Sequence, residues 1–171
     1  MIILANGINL VGVAFLVISH TIISLSSSKL GFLLSVAGGA FIATGSYILG
    51  SYPVFFLNIL WAIISIIGYI GIANKTFTIK ILNNKRLIAL SLFVFVIGLS
   101  LYFTKFRNND FLAYCTTFIY TFYYALFALG KIKKEVYLLA CCFGFLLLAP
   151  HLIEKFQYAV MLNELYGFFI G

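Results

Sequence analysis

Two asparagines, Asn58 and Asn163, are the residues of this sequence whose type and spacing point most directly to a binding function. Each lies inside a long apolar stretch and within the same pattern, Leu-Asn-x-Leu-aromatic, at 57–61 and 162–166. A carboxamide offers two hydrogen-bond donors and an acceptor, which suits the hydroxyl or amide groups of a small solute. The pair therefore predicts a polar cavity between two related halves of the molecule. The competing interpretation is a hydrogen bond between packed helices, worth about 0.6 kcal/mol on average in membranes.

Aromatic and hydroxyl side chains are expected to shape this cavity. The expected solute contacts besides the two asparagines are Trp61, Tyr166, Tyr120 and Thr121. The first of these shares a helix face with Asn58. Tyr120 and Thr121 lie near the middle of their apolar stretch, where a buried hydroxyl needs a hydrogen-bond partner. Tyr114 and Tyr124 lie nearer its ends and fit an aromatic belt at each membrane edge instead.

Two ionisable residues inside apolar stretches are candidates for proton coupling. Glu164 lies near the middle of the last stretch, where a carboxylate costs about 2.5 kcal/mol or more on insertion scales. The alternative is that this short stretch lies shallow and a protonated Glu164 faces a neighbouring helix. His20, in the first stretch, is the second candidate, with a satisfied packing role as its alternative.

The composition identifies the solvent of these side chains. Apolar residues make up 64% of the 171 residues and charged residues 9%, against roughly 45–50% and 25% in soluble domains. Mean hydropathy is +1.14. These values exclude a soluble enzyme, a nucleic-acid-binding domain and a disordered chain. The net charge of +7 is interpreted as a signal of membrane orientation rather than of a polyanion site.

We predict seven membrane spans, since a helix needs about 20 apolar residues to cross a bilayer. They are Ile8–Leu25, Leu30–Leu49, Val54–Ala73, Leu87–Phe103, Phe111–Leu129, Val136–Leu148 and Phe156–Ile170. Merging the last two would require about 35 residues in one crossing, more than tilt can absorb. The predicted fold is an all-α integral membrane protein in 3+1+3 order. A first three-helix unit (1–74) is followed by a loop and linker helix (75–109) and a second, parallel unit (110–171).

The distribution of charge predicts the orientation. With the N-terminus outside, the inward loops hold most of the basic residues, namely Lys29, Lys75, Lys80, Lys85, Arg86, Lys131, Lys133 and Lys134. The outward loops hold only Lys105, Arg107 and Lys155. This bias fits the positive-inside rule and predicts an N-out, C-in topology.

Local signals mark where the spans end and how they pack. Gly50-Ser51-Tyr52-Pro53 predicts a turn followed by a proline at a helix start, and Asp110 is predicted to cap the fifth span. Small residues at 37–45 predict a close approach of helices. The odd number of cysteines, all within spans, predicts packing roles rather than disulfides or metal ligands. They are Cys115, Cys141 and Cys142.

The chain contains an internal repeat in which spans one to three match spans five to seven. A repeat of three helices returns upside down unless a further helix restores its direction, and the fourth span does so. With Gly12-Val13-Ala14-Phe15-Leu16, Leu49-Gly50-Ser51-Tyr52-Pro53 and Leu57-Asn58, this layout resembles the SWEET and semi-SWEET (MtN3/saliva, PQ-loop-like) transporter superfamily. Closer still, the sequence is similar to small bacterial inner-membrane proteins of the YgjV type.

The resemblance implies a multi-pass protein of the bacterial inner (plasma) membrane that moves a small polar solute by alternating access. A sugar is the class of solute that it implies, with Asn58 and Asn163 lining the cavity of a uniporter or proton-linked carrier. The alternative function is a non-transporting accessory or assembly protein that binds a partner through its helix faces.

The expected partners are a small-molecule solute and the lipid bilayer, with a homo-oligomer left open and no nucleic acid. We expect no cofactor and no metal. No catalytic constellation emerges from the residue spacing, so the chain is not expected to be an enzyme. A membrane enzyme acting on lipid around His151 and Glu154 is the least favoured interpretation.

Overall fold

The computed structural model describes residues 1–25, 29–74, 108–129 and 131–170, together with Phe93, Val96, Ile97 and Ser100. Within these residues all regular secondary structure is helical. The helices are α1 (Ile2–Leu25), α2 (Lys29–Ile48), α3 (Tyr52–Asn74), α4 (Asn109–Ala128), α5 (Lys134–Glu154) and α6 (Tyr158–Ile170). The predicted fourth span lies outside the described residues except for the four isolated positions.

Five of these helices, α1 to α5, are long and apolar enough to cross a membrane. Their apolar segments of 20 or 22 residues match a hydrocarbon core of about 30 Å at about 1.5 Å per residue. Large apolar side chains such as Ile3 and Phe118 face outward, while Asn9, Ser19 and Ser65 are fully buried. This distribution is the reverse of that in a soluble protein and identifies a multi-pass helical membrane protein.

The helices follow one another around a closed ring. Each packs against the next helix of the described chain, and α6 packs back against α1. The main contacts between the two halves, α1 to α3 and α4 to α6, are therefore those of α3 with α4 and of α6 with α1. Residues on the inner faces of the six helices share one interior.

Helices α3 and α4 run in the same direction. Thr117 Oγ1 donates to the carbonyl of Pro53 near the start of α3, and further along both helices Tyr124 Oη hydrogen-bonds Ser65 Oγ at 2.9 Å. Since α2 and α5 return between them, α1, α3, α4 and α6 are all parallel. One end of the bundle, called here the Ser51 end, holds the α2–α3 and α5–α6 turns. The opposite end, called the Lys29 end, holds the α1–α2 and α4–α5 connections.

Small residues bring the first three helices together, as their spacing predicts. A Cβ atom added to Gly38 would lie 2.9 Å from the Gly12 carbonyl oxygen of α1, and one on Gly39 would lie 3.0 Å from the Asn58 carbonyl oxygen of α3. Backbone of α2 is thus in near contact with backbone on both sides. Close approach of this kind is a principal source of helix association in lipid, where the hydrophobic effect is absent.

Two sequence predictions about helix ends are corrected and one is confirmed. The sixth span was expected to end at Leu148, whereas α5 continues through Pro150 to Glu154, because membrane helices tolerate a proline when neighbouring groups satisfy the freed carbonyl. Asp110 is not the cap of α4: the side chain of Asn108 accepts a hydrogen bond from the Asp110 N–H. An asparagine caps as well as an aspartate. The turn at Gly50 (φ 67°) and the helix start at Tyr52 are as predicted.

Candidate functional site

Trp61 of α3 lies where side chains from four helices meet inside the ring. Its indole stacks on Tyr124 of α4 with the ring centroids 4.0 Å apart. The ring centroids of His20 of α1 and of Tyr137 of α5 lie 5.9 Å and 6.4 Å away. Tyr120 of α4 meets the indole edge-on at 6.4 Å. The indole therefore ties α1, α3, α4 and α5 together through aromatic contacts.

Tyr120 extends this group of rings to a carboxylic acid. Its hydroxyl lies 2.6 Å from Glu164 Oε2 of α6 and 3.0 Å from the Cys141 carbonyl oxygen of α5. Glu164 Oε1 in turn accepts from Asn163 Nδ2 at 3.3 Å. The tyrosine hydroxyl has one proton for two oxygen partners, so both contacts are satisfied when Glu164 carries a proton and donates it to the tyrosine oxygen.

Three other polar atoms around Trp61 have no hydrogen-bond partner in the protein. The Trp61 Nε1 donor, the His20 Nε2 atom and the Asn163 Oδ1 acceptor are buried with no hydrogen-bond partner in the structure. They belong to α3, α1 and α6, and Trp61 and Asn163 are 6% and 4% exposed. We call His20, Trp61, Tyr120, Asn163 and Glu164 the interior cluster. It has donor and acceptor positions that a bound molecule would satisfy.

Three of the predicted solute contacts already hydrogen-bond other groups of the protein. Asn58, one turn before Trp61, is buried but donates to the Val54 carbonyl of its own helix. Thr121 donates to the Thr117 carbonyl, also within its helix. Tyr166 hydrogen-bonds Thr21 at 2.8 Å and so links α6 to α1. The helical repeat places these residues on inner faces but does not determine which partner each one finds.

The belt interpretation is wrong for Tyr124. This residue lies near the end of α4, yet it is 2% exposed and packs flat on Trp61. The reason is that α4 is covered by α3 and α5 at that level, so a position near a helix end is not exposed there. Tyr114 is exposed, as a belt residue has to be.

A second polar group lies at the Ser51 end. Ser51 Oγ hydrogen-bonds His151 Nε2 at 2.6 Å, and His151 Nδ1 lies 2.9 Å from Asp110 Oδ1. Beside it, Asn109 Nδ2 donates to Glu154 Oε2 at 2.7 Å. We call Ser51, Asp110 and His151 the end cluster. It joins the α2–α3 turn, the first turn of α4 and the last turn of α5.

Reasoning from the sequence names His151, with Glu154, only in its least favoured interpretation and does not connect it to Ser51 and Asp110, because these residues are far apart along the chain. In the sequence, Ser51 and Asp110 are interpreted as residues at helix starts, and His151 as part of the polar junction between the last two spans. The information that could have identified these residues together is the direction in which the predicted helices run. Parallel units place the starts of α3 and α4 and the end of α5 on one side of the membrane.

Acidic, histidine and cysteine side chains do not form a metal site in the part of the chain that the structure describes. Cys115, Cys141 and Cys142 are free thiols, each partly buried. The packing role predicted for them agrees with these positions.

Comparison with protein-family models, with curated proteins and with solved structures gave no match to this chain. Function is therefore inferred from the two polar groups themselves: the interior cluster between the halves and the end cluster at the Ser51 end.

Proposed function

We propose that this protein is a membrane transporter that moves a small polar solute by alternating access. The observation that carries the proposal is the set of buried polar atoms without protein partners around Trp61, contributed by α1, α3 and α6. A buried polar atom left without a partner costs about 1–3 kcal/mol. A solute or water that satisfied these atoms would recover that free energy, whereas a purely structural interior would gain from apolar or small residues at the same positions.

The chemistry of the interior cluster favours a solute with both hydroxyl groups and a flat or ring-shaped face. The Trp61 N–H would donate to a solute oxygen, and Asn163 Oδ1 would accept from a solute hydroxyl. Tyr124 covers one face of the Trp61 indole, so a solute ring would pack against the other side of the indole or against Tyr120, apolar surfaces of the kind that orient rings. A sugar, the class implied by the family resemblance, meets these requirements, as does any small polyhydroxylated ring.

The direction of the helices supports a seven-span arrangement. Helix α3 ends at the Lys29 end of the bundle, while α4 begins at the Ser51 end and runs parallel to it. An odd number of crossings between Asn74 and Asn108 satisfies both positions, and the predicted span Leu87–Phe103 supplies one. The two halves then stand side by side in the same sense, which is the symmetry that alternating access between repeats requires.

The charges at the two ends support an N-out orientation. Among the described residues, the basic residues Lys29, Lys131, Lys133 and Lys134 lie at the Lys29 end, whereas Lys155 alone lies at the Ser51 end. By the positive-inside rule the Lys29 end faces the cytoplasm, so the first residues of α1 lie outside.

Binding and flux assays test the proposal directly. Trp61 is the single tryptophan of the chain, so its fluorescence in the purified protein reports on the interior cluster. We expect one member of a panel of sugars and other small polar solutes to change that fluorescence, and proteoliposomes to accumulate the same solute. Asn163→Ala is expected to lower both signals by about 10-fold, the loss of one to two hydrogen bonds.

A matched control is Asn58→Ala, since Asn58 is bonded to its own helix and its loss should leave binding nearly unchanged. A fluorescence change without flux would contradict transport and favour the accessory function. The absence of both signals over the whole panel, in protein that remains folded, would contradict a solute site at the interior cluster.

A further inference from the structure

The end cluster has the residue types and the order of contacts of a nucleophile, a base and an orienting acid. The hydroxyl of Ser51 meets Nε2 of His151 at 2.6 Å, and the carboxylate of Asp110 lies 2.9 Å from Nδ1 of the same ring. Serine hydrolases on unrelated folds share this order, and the set is recognised by its geometry rather than by position in the sequence.

The carboxylate determines where the protons lie. An ionised carboxylate only accepts hydrogen bonds, so the proton of a neutral His151 ring belongs on Nδ1, the nitrogen beside Asp110. Nε2 is then an acceptor, and the Ser51 hydroxyl donates to it. The Nδ1–H direction is not aligned with the Asp110 oxygen, and catalytic hydrogen bonds commonly tighten only when a substrate is bound.

The helix ends that carry the end cluster stabilise the charges that acyl transfer develops. Ser51 directly precedes α3, where the positive end of the helix dipole favours an oxyanion formed at that position. His151 lies in the last turn of α5, where the negative end of the dipole favours a protonated imidazole. Both effects stabilise charges that form when Ser51 attacks an ester carbonyl.

Both turns at this end contain left-handed backbone. Gly50, directly before Ser51, has φ 67°, and Phe156, in the α5–α6 turn, has φ 56°. Glycine adopts this conformation without cost, but a bulky residue such as phenylalanine pays on the order of 1–3 kcal/mol. In both turns the next residue donates to a carbonyl five residues back, the Ser51 N–H to Ser46 and the Gln157 N–H to Leu152, so these left-handed residues close the C-termini of α2 and α5.

Exposed aromatic residues define the depth of the end cluster in the membrane. Tyr47, Tyr52, Phe156 and Tyr158 lie at the Ser51 end and are each more than half exposed. An aromatic belt of this kind lies at the headgroup level, where lipid ester carbonyls also lie. The Asp110 side chain is 43% exposed, so the end cluster also borders water.

We propose that the end cluster is a catalytic site that hydrolyses acyl esters held at the membrane surface, with Ser51 as the nucleophile. Ser51 Oγ attacks the ester carbonyl carbon while its proton passes to His151 Nε2. The C–O bond to the alcohol breaks, and that proton leaves with the alcohol. Water then attacks the acyl-serine through the same base, which releases a carboxylic acid and restores Ser51. Asp110 is a positioning residue that holds the ring of His151.

Access to Ser51 requires local opening, since Ser51 and His151 are fully buried. Pro150 directly precedes His151 and removes one backbone donor from the last turns of α5, which makes that end easier to displace. A hydrogen-bonded cluster whose only role is to hold three helices together would gain nothing from a proline at this position.

Labelling with an alkyl fluorophosphonate tests the proposal in the full-length protein in detergent. The probe forms a stable phosphonyl ester with an activated serine, and peptide mass spectrometry locates it. We expect labelling at Ser51, its loss in Ser51→Ala, and a fall in rate of about 100-fold or more in His151→Gln, as expected for removal of a general base. The Ser46→Ala variant is the matched control, since Ser46 is also fully buried in the segment before the same turn.

Asp110 is tested by rescue and by stability together. Asp110→Asn should slow labelling, and Asp110→Glu should restore part of the rate, whereas a purely structural role would change only the unfolding free energy. A long-chain 4-nitrophenyl ester should be hydrolysed faster than its acetyl counterpart by the wild-type protein and not by Ser51→Ala. Folded wild-type protein that stays unlabelled at Ser51, or labels equally in His151→Gln, overturns the proposal, whatever the flux assays show.

Discussion

The hydroxyl of Tyr120 is the contact on which the interior cluster depends at the scale of single residues. It joins α4 to the backbone of α5 and to the carboxyl group of Glu164 on α6. In water, a hydrogen bond to solvent would replace either bond at little cost in free energy. Inside a membrane protein, a carbonyl or carboxyl group that loses its donor has few other partners. The ring of Tyr120 also packs against Gly144, and this contact does not depend on the hydroxyl.

Replacing Tyr120 by phenylalanine separates the hydroxyl from the ring. We expect Tyr120→Phe to lower the free energy of unfolding by about 1–3 kcal/mol, because it leaves the Glu164 carboxyl group without its hydroxyl partner. The Cys141 carbonyl oxygen keeps the hydrogen bond of its own helix. Equilibrium unfolding in mixed micelles measures this loss. Tyr114→Phe, on the exposed face of the same helix, removes the same atom and should change the free energy by less than about 0.5 kcal/mol. Equal effects would mean that the Tyr120 hydrogen bonds contribute little.

Glu164 gives the interior cluster its only ionisable acid, and its contacts predict proton coupling. The two partners of the Tyr120 hydroxyl are both satisfied when Glu164 is protonated, so solute binding that breaks this contact would release the proton. Solute and proton would then cross the membrane in opposite directions, so we expect an outward proton gradient, with the vesicle interior more acidic, to accelerate uptake into wild-type proteoliposomes. It should have no effect on Glu164→Gln, which keeps a hydrogen bond to Tyr120. Solute exchange at equal pH should persist in the variant. Wild-type uptake that ignores the gradient would make the protein a uniporter.

The sequence indicates the chemical types in the interior cluster but not their pairing. Trp61, Tyr120 and Asn163 are correctly placed on inner faces because helical periodicity and the internal repeat determine the faces. That Asn58 bonds its own backbone while Asn163 contacts Glu164 depends on side-chain rotamers and on the neighbouring helix. The end cluster was not predicted for the same reason, since it depends on contacts among the starts of two helices and the end of a third.

Glycine contacts determine the packing at the scale of helices. Gly12 of α1 faces Gly38 of α2, and a Cβ atom on Gly12 would lie 2.8 Å from the Gly38 carbonyl oxygen and 2.9 Å from the Ile42 nitrogen. Both obstacles are backbone atoms, which cannot rotate away as a flexible side chain can. The two helices therefore need glycine at Gly12 for their present separation.

Alanine scanning of the glycines in α1 tests this packing. We expect Gly12→Ala to destabilise the protein by about 1–3 kcal/mol, the usual cost of overpacking. Gly7→Ala is the control, because a Cβ atom there meets nothing within 4 Å, and alanine favours a helix by up to about 1 kcal/mol over glycine. Unfolding in mixed micelles should therefore separate the two variants by sign. A neutral Gly12→Ala would show that α1 and α2 can move apart freely.

Helix boundaries were predicted well where backbone chemistry is local and less well where side chains complete the helix. The start of α3 follows from a left-handed glycine and a proline, both readable from the sequence. By contrast α1 begins at Ile2, six residues earlier than predicted, and the Nδ2 of Asn6 in its second turn donates to the Ile2 carbonyl of the same helix. A polar residue in a sequence does not end a helix when that helix itself provides its partner.

At the scale of the whole molecule, the parallel direction of α3 and α4 distinguishes this fold from a simple up-and-down bundle of the same helices. Neighbouring helices joined by a short loop run antiparallel, whereas α3 and α4, whose connection lies outside the described residues, run parallel. The same direction brings Lys29 and Lys133 to one side and leaves Asp110 and Glu154 on the other. The proposed seven-span, N-out topology accounts for both the parallel helices and the distribution of the charges.

Cysteine labelling tests the topology and the parity of the spans together. In a variant with the three native cysteines replaced, single cysteines are introduced at exposed positions: Ile3 and Tyr158 at the Ser51 end, Lys29 and Lys133 at the Lys29 end. We expect a membrane-impermeant maleimide added to intact cells to label Ile3→Cys and Tyr158→Cys. The lysine positions should react only after permeabilisation. Lys29 begins α2 and Lys133 follows α4, so the two lie on one side of the membrane only when an odd number of crossings separates α3 from α4. If they react on opposite sides, the parallel arrangement of the halves is wrong, and alternating access loses its structural basis. If all four positions exchange sides together, only the N-out orientation is wrong.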